Sequence, residues 1–298
     1  MKKELIESVL DNWDITEPYI IDTLGQSSED LPRSIYRIGS KESDYVLKGF
    51  KDIPESTVIS NVQAHLFLGN AHSLAPKLYP TKEGTYYIRE QGCYFLLMEY
   101  IDGRLLTEDV SDEYKIGQLA RKLHSLTDYE FFSPLTQSKK RYYDWFADRP
   151  FKKEFDAILD SLPEFETCSQ CFVHTDIGPH NAMMRKNGSV VFIDLDDSGI
   201  GSRYLDLGWP LIMQFVDFNH ETEEMTYRFD LAVSFLQGYF GDEPIPDEEF
   251  DFIFHGAIQM HISYMQVYGP YAVDSLWKIL NFGIKQKETL RRLLRKVD

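Results

Sequence analysis

The 298-residue chain has few cysteines and no long uninterrupted apolar run. Three cysteines cannot supply a disulfide framework, and they fit a reducing compartment. No stretch approaches the run of about 18 uncharged apolar residues that a membrane-spanning helix needs. The first residues alternate charged and apolar side chains at helical spacing, whereas a secretory signal needs an unbroken apolar centre. We therefore expect a cytoplasmic protein that does not associate with membranes.

Basic residues are also scarce: 31 Lys and Arg stand against 48 Asp and Glu, for a net charge of −17. Residues 205–275 contain 13 acidic residues and a single basic one, Arg228. Nucleic-acid binding depends on clustered Lys and Arg, so we expect no nucleic-acid partner. The acidity would favour a cationic small molecule by electrostatic focusing, although a solvated acidic surface is the more common explanation. The sequence leaves the oligomeric state open.

The pattern of predicted elements changes along the chain from strands to helices. Alternating apolar runs between turn residues predict strands, and apolar residues at helical spacing predict helices. The character changes near residues 99–103, after which a helix capped by Ser111 and several helices over 209–298 are expected. The predicted early elements are strands at 19–21, 34–38, 45–48, 86–88 and 94–98 and a helix at 56–69.

Residues 174–194 are the most informative segment. They contain Asp176, Asn181 and Asp194, with the pair Asn187-Gly188 between the last two. This pair predicts a two-residue type I′ turn, because both central positions of that turn need positive φ. In the resulting register Asn181 lies directly opposite Asp194, about 5 Å away.

An amide oxygen and a carboxylate held together in this way suit a hard cation such as Mg²⁺. A second carboxylate, Asp176, lies one short loop away, as a phosphoryl-transfer site requires. The alternative is an ordinary hairpin with polar residues at its mouth. We favour the catalytic interpretation because several polar residues share one register.

The same residues resemble the catalytic signature of the protein-kinase-like fold, His-x-Asp-x-x-x-x-Asn from His174, followed by Ile-Asp at 193–194. The run from Phe192 to Gly201, followed by Tyr204-Leu-Asp-Leu, is similar to the aminoglycoside phosphotransferase and choline kinase-like family. In protein kinases proper, Phe-Gly follows the metal-binding Asp instead.

The resemblance implies an α+β, bilobal protein-kinase-like fold. A small N-terminal antiparallel sheet lobe with one helix, residues 1–102, would bind nucleotide. A larger, mainly helical C-terminal lobe, residues 103–298, would carry catalysis and the substrate. It also implies that Asp176 is the catalytic base, that Asn181 and Asp194 hold Mg²⁺, and that Asp206 braces the catalytic loop.

The resemblance further implies a nucleotide site. Lys48 ends an alternating strand, where the family places the lysine that grips the α- and β-phosphates. Residues 96–103 resemble the interlobe hinge, where the Glu99 carbonyl and the Ile101 amide would bind adenine. Ser34 is a candidate for phosphate contact. ATP is the expected nucleotide, and GTP is left open.

Two departures from the pattern concern this nucleotide site. The segment 23–36 offers only Gly25 in place of a glycine-rich loop. It has Ser27, Ser28 and Ser34 instead, near backbone amides that could bind phosphate.

The second departure is that the helix at 56–69 contains no acidic residue to pair with Lys48. Asn61 or Gln63 could substitute with a neutral hydrogen bond, or Glu55 could reach from the helix start. Without such a partner, low activity stays an alternative.

The predicted function is an ATP- and Mg²⁺-dependent phosphotransferase that moves the γ-phosphate to a hydroxyl of an aminoglycoside-like or amino-alcohol acceptor. A Ser/Thr protein kinase of the same fold and a catalytically weak nucleotide-binding regulatory protein remain alternatives. The candidate substrate residues are Asp196, Asp217, Glu221 and Tyr264.

Overall fold

A computed structural model describes residues 3–24, 33–128 and 147–295, without the side chains of residues 3 and 269–271. The predicted phosphate-loop residues Gly25, Ser27 and Ser28 lie outside the described residues. The chain forms two compact units, the first of residues 1–104 and 183–197 and the second of residues 105–182 and 198–298. The sequence-based division after residue 102 does not anticipate the return of 183–197 to the first unit. The assignment of nucleotide binding to one lobe and catalysis to the other stays a prediction.

The first unit is built on a five-stranded antiparallel sheet with the strand order β1-β2-β3-β5-β4. Two helices and a short π-helical extension of the second, Leu66–Ala71, accompany it. The elements are α1 (Lys3–Leu10), β1 (Ile20–Thr23), β2 (Arg33–Gly39), β3 (Asp44–Lys51), α2 (Glu55–His65), β4 (Ile88–Glu90) and β5 (Cys93–Glu99).

The central strand β5 explains how the two faces of this sheet are covered. Its residues from Cys93 to Met98 are all buried, as expected for a strand with apolar side chains on both sides. Phe95 and Leu97 join a core with α1, whereas Leu96 and Met98 join a second core with α2. The sheet therefore lies between two helices.

The hairpin of β8 (Ala182–Arg185) and β9 (Val190–Phe192) corrects the predicted register. Arg185 N donates to Ser189 O, and Gly188 N donates to Arg185 O, which makes a three-residue loop. Gly188 has a φ of 84°, whereas Asn187 is not among the left-handed residues of the described chain. The Asn187 side chain instead accepts from Ser189 N at 3.0 Å, the alternative use of Asn in a turn. The type I′ prediction is wrong, and so is the predicted hairpin register in which Asn181 lay opposite Asp194.

The second unit is mainly helical, as predicted. Helices α5 (Arg203–Met213) and α7 (Asp247–Leu294) pack together at glycines: a Cβ on Gly256 would lie 1.9 Å from Tyr204 O, and one on Gly208 would lie 2.1 Å from Ala257 N. The elements are α3 (Val110–His124), α4 (Lys152–Ser161), β7 (Gln170–Val173), β10 (Gly199–Ser202), α5 (Arg203–Met213), β11 (Val216–Phe218), β12 (Met225–Tyr227), α6 (Phe229–Phe240) and α7 (Asp247–Leu294). The chain passes between the units within β6 (Gly103–Leu105), at the start of β8 and between residues 197 and 198.

Two local features of this unit differ from the expectation. The cap of α3 is Asp109, whose side chain accepts hydrogen bonds from Ser111 N and Asp112 N, so Ser111 lies inside the helix. The strands β11 and β12 form a small antiparallel hairpin within residues 209–298, for which several helices were predicted. None of the helices within the described ranges is long and apolar enough to cross a membrane.

Candidate active site

The loop that follows β7 is fixed by one buried carboxylate. Asp206, in the first turn of α5, is fully buried and accepts from His174 N at 2.7 Å and Thr175 N at 2.6 Å. Thr175 has a φ of 73°, which is unusual for a β-branched residue and is maintained here by these bonds. His124, at the end of α3, bonds to the same carboxylate at 3.0 Å. Asp206 therefore occupies the bracing position that the resemblance implied.

Asp176 follows this strained residue and carries the predicted catalytic carboxylate. Its Oδ2 accepts from Asn181 Nδ2 at 2.8 Å, and its Oδ1 lies 3.2 Å from His180 Nε2. Burial acts to raise the pKa of Asp176, but the hydrogen bond and charge of His180, the charge of His174 and the Asn181 amide outweigh it. The pKa consequently lies below its ordinary value of 3.8, and the carboxylate is ionised at neutral pH.

The Asn181 side chain, the predicted metal ligand, is oriented by Asp176. Its Nδ2 also donates to the main-chain oxygen of Asp176 at 3.0 Å, so both contacts of the amide nitrogen are to that residue. The amide oxygen must then face away from Asp176. An amide oxygen together with a carboxylate such as Asp194 is an oxygen donor set that fits Mg²⁺.

The remaining ligands of such an ion would come from phosphate and water. In the part of the chain that the structure describes, no group of three or more His, Cys, Asp or Glu side chains could hold a metal ion. In the usual mode of Mg²⁺ binding, one or two carboxylates act together with substrate phosphates.

The first unit contains the Lys48 cluster, which we define as Lys48, Asp194, Asp196, Arg33 and Asn61. Lys48 is nearly buried, and its Nζ donates to Asp194 Oδ1 at 2.9 Å and to Asp196 Oδ1 at 2.6 Å. Asn61 Nδ2 of α2 donates to Asp196 Oδ1 at 2.5 Å, and Arg33 Nε lies 2.7 Å from Asp196 Oδ2. Lys48 therefore has two carboxylate partners although α2 supplies none.

The other predicted nucleotide residues also lie in the first unit. Ser34 on β2 is buried, and its Oγ has no hydrogen-bond partner among the described residues. Such a hydroxyl is suited to hydrogen-bond a ligand. Glu99 ends β5 and forms a two-pronged ion pair with Arg185, so its side chain is engaged and only its backbone is suited to adenine. Ile101 is buried just beyond.

Among the predicted substrate residues, Tyr264 lies in a group of aromatic rings. Tyr264 packs against Tyr268 with ring centroids 4.4 Å apart and against Trp209 at 6.0 Å. Burial raises the pKa of Tyr264, and the charges of Tyr268 and Asp176 add to the effect. Tyr264 is thus within electrostatic reach of Asp176.

The acidic candidates are placed differently. Asp217 lies on β11 and Glu221 in the turn after it, both exposed, and neither contacts Asp176 within the described ranges. Asp196, as part of the Lys48 cluster, has a side chain only 2% exposed.

Sequence reasoning missed several residues of these sites. Gln214 donates to Ile177 O of the loop after β7 at 2.5 Å, and its Oε1 is buried without a partner in the described chain. Arg33 and His124 likewise gave no local signal, because each contacts a residue more than 80 positions away. Asn61 was considered as a partner of Lys48, but it bonds to Asp196 instead.

Comparison with known proteins now decides the family. The sequence profile of the APH phosphotransferase enzyme family matches residues 28–243, which is most of the chain. The chain belongs to this phosphotransferase enzyme family. It is a small-molecule phosphotransferase with an alcohol group as acceptor, so the predicted resemblance and enzyme class are confirmed. No curated protein sequence matches the chain.

Solved structures share the fold over nearly the whole chain. The structure of a microcompartment-associated aminopropanol kinase has a TM-score of 0.63 at 14% identity and covers 99% of this chain and 98% of its own. An aminoglycoside phosphotransferase from Alicyclobacillus acidocaldarius has a TM-score of 0.61 at 14% identity, with 97% and 95% covered. A choline kinase from Streptococcus pneumoniae has a TM-score of 0.57 at 14% identity, with 98% of both chains covered. The predicted fold class is confirmed.

Proposed function

We propose that this enzyme transfers the γ-phosphoryl group of ATP to a hydroxyl of a small amino-bearing alcohol, with Mg²⁺ as the metal ion. The observation that carries the proposal is the geometry at Asp176. One amide group, that of Asn181, bonds to the carboxylate and presents its oxygen on the opposite side. A base and a metal ligand are thereby held in one fixed relation.

Asp176 would act on the acceptor. Its ionised carboxylate accepts a hydrogen bond from the acceptor hydroxyl and orients the oxygen toward the γ-phosphorus. It takes the proton as the new O–P bond forms and the bond from the γ-phosphorus to the β,γ-bridging oxygen breaks, which releases ADP. The depressed pKa is suited to orientation more than to strong basicity, which fits a reaction whose transition state needs little nucleophile activation.

Lys48, Ser34, Asn181 and Asp194 would act on the nucleotide. The Lys48 ammonium neutralises non-bridging phosphate oxygens, and the orphan Ser34 hydroxyl gains a phosphate partner. Asn181 and Asp194 would hold Mg²⁺, which when bound neutralises charge on the β- and γ-phosphates. The backbone of Glu99 and Ile101 would bind the adenine.

The proposed acceptor carries an amino group. Acidic side chains dominate residues 205–275, and the aromatic rings of Trp209, Tyr264 and Tyr268 lie together near the base. Such surroundings favour a cationic molecule. The structural neighbours are named for aminopropanol, choline and aminoglycosides, all of which combine a hydroxyl with a nitrogen centre. We also propose that the enzyme is cytoplasmic.

The test is acceptor-dependent ADP release from Mg·ATP over a panel of amino alcohols and aminoglycosides. We expect at least one acceptor to stimulate release. Asp176→Asn should lower kcat by about 10²- to 10⁴-fold, the usual contribution of a positioned base, with nucleotide binding unchanged. Asp160→Asn, an exposed carboxylate on α4, is the matched control. Nucleotide binding without turnover for every acceptor would contradict the proposal.

A further inference from the structure

The Lys48 cluster contains two carboxylates in different surroundings. The Asp194 side chain is 46% exposed, whereas that of Asp196 is 2% exposed. Both accept from Lys48, but Asp196 accepts in addition from Asn61 and lies against Arg33. An accessible carboxylate suits metal binding, and a buried carboxylate with three partners suits a fixed structural role.

Helix α2 supplies no carboxylate to Lys48. Its one acidic residue, Glu55, stands at its first position and accepts from the Tyr87 hydroxyl at 3.0 Å. The buried residue of α2 that reaches the cluster is Asn61, whose amide nitrogen donates to Asp196. An amide at this position cannot balance the charge of Lys48, so the balancing charge has to come from elsewhere in the fold.

We propose that Asp196 is the positioning residue for Lys48, and that it performs from the segment after Asp194 the task that a helix carboxylate would otherwise perform. The inference rests on the proposed function, because it concerns how the phosphate-binding lysine is held. Asn61 and Arg33 fix Asp196 from α2 and β2. Leu195, which is 1% exposed, anchors the peptide between the two carboxylates.

This arrangement separates two roles within three consecutive residues. When Asp194 binds a cation, Asp196 remains to hold Lys48 in the position that the phosphates require. The role differs from the substrate contact predicted from sequence, because Asp196 is enclosed by Lys48, Asn61 and Arg33.

The primary experiment compares Asp196→Asn with Asp197→Asn, a change of the adjacent exposed carboxylate. Steady-state kinetics are measured separately for Mg·ATP, free Mg²⁺ and the acceptor. Asp196→Asn should lower kcat/KM for Mg·ATP by about 10²-fold, the scale expected for misplacement of a catalytic group. KM for the acceptor and the dependence on free Mg²⁺ should stay unchanged. Asp197→Asn should resemble the unaltered protein.

A second set of variants keeps the result interpretable if Asp196→Asn folds poorly. The double variant Asn61→Glu with Asp196→Ala places the carboxylate on the helix instead. Its kcat/KM for Mg·ATP should be at least about tenfold higher than that of Asp196→Ala alone. In a Lys48→Met background, Asp196→Asn should have no further effect on kcat/KM, because the residue acts through the lysine.

Other outcomes overturn the inference. A selective rise in the acceptor KM would make Asp196 a substrate residue, and a selective loss of Mg²⁺ affinity would make it a metal ligand. Equal kinetics for Asp196→Asn and Asp197→Asn would leave Asp196 without a positioning role. Calorimetry of Mg·AMP-PNP binding to the unaltered protein separates these cases from failure of the proposed function. If the proposed function fails, the unaltered protein neither binds the nucleotide nor transfers phosphate.

Discussion

At the residue scale, the account depends on how single side chains are oriented by their neighbours. Asn181 is directed by Asp176, Asp196 by Asn61 and Arg33, and the loop before Asp176 by Asp206. In each case a polar group that could rotate freely in water is held by hydrogen bonds to a carboxylate, which are stronger than neutral ones, and Asp196 has in addition an ion pair with Arg33.

The pH dependence of catalysis tests the surroundings of Asp176. Because its pKa is depressed below 3.8, the base stays ionised as pH falls, and it is protonated only in strongly acidic solution. Removing the favourable contact in His180→Gln raises that pKa, so the acid limb of kcat/KM should move to higher pH by less than about one unit. Profiles of kcat/KM for both proteins check this. An acid limb that moved to lower pH in the variant would contradict the assignment.

Removal of the Asp206 carboxylate tests the loop. Asp206→Ala leaves the amides of His174 and Thr175 without their acceptor. At about 1–3 kcal/mol for each buried donor, we expect the free energy of unfolding to fall by roughly 2–6 kcal/mol. Urea denaturation measures it. Asp206→Asn keeps one acceptor oxygen and should lose less. Equal stability of all three proteins would show that the loop holds its shape without this side chain.

At the scale of elements, helix packing in the second unit requires glycine where backbones touch. A Cβ at Gly256 would meet the carbonyl of Tyr204, which cannot move without shifting α5. A Cβ at Gly283, further along α7, would meet only the Ile212 side chain at 2.9 Å. Gly256→Ala should therefore cost about 1–3 kcal/mol of unfolding free energy through overpacking.

Gly283→Ala is the matched control on the same pair of helices. Its cost should be smaller, since a side chain can rotate and alanine favours a helix over glycine by about 1 kcal/mol. Thermal or urea unfolding of both variants distinguishes them. A larger loss in Gly283→Ala would show that α5 and α7 do not meet as described.

Some elements could be predicted from the sequence and others could not. The strands β2, β3 and β5 and the helix α2 followed from periodicity, because alternation and apolar runs are local properties. The hairpin β8–β9 was predicted with the wrong turn, since Asn187-Gly188 also suits a three-residue loop in which only Gly188 is left-handed. The short strands β11 and β12 are too brief to produce a recognisable pattern.

The candidate site, too, could be predicted from the sequence only in part. Asp176, Asn181 and Asp194 stand in one short motif and were therefore accessible to sequence reasoning. The Lys48 cluster was not, because it joins residues 33, 48, 61 and 196, and only the folded chain brings these together. The missing helix carboxylate suggested low activity from the sequence. In the structure, Asp196 contributes a carboxylate to Lys48 from another segment.

At the scale of the whole molecule, the net charge of −17 should influence acceptor capture. If the acceptor is cationic, KM should rise several-fold between about 0.05 and 0.5 M NaCl, because salt screens the attraction. A diol in which a hydroxyl replaces the amino group is the matched neutral acceptor, and its KM should change little. Equal salt dependence for the two acceptors would remove the electrostatic argument for a cationic substrate.

The most direct measurement is a crystal structure with AMP-PNP and Mn²⁺, in which anomalous scattering locates the ion independently of the coordinates. We expect one ion bound by Asn181 Oδ1 and the Asp194 carboxylate at about 2.0–2.2 Å, with phosphate oxygens and water completing its shell. Asp176 should face the γ-phosphate, and Asp196 should remain on Lys48. An ion bound elsewhere, or Asn181 and Asp194 directed to separate cavities, would contradict the assignment.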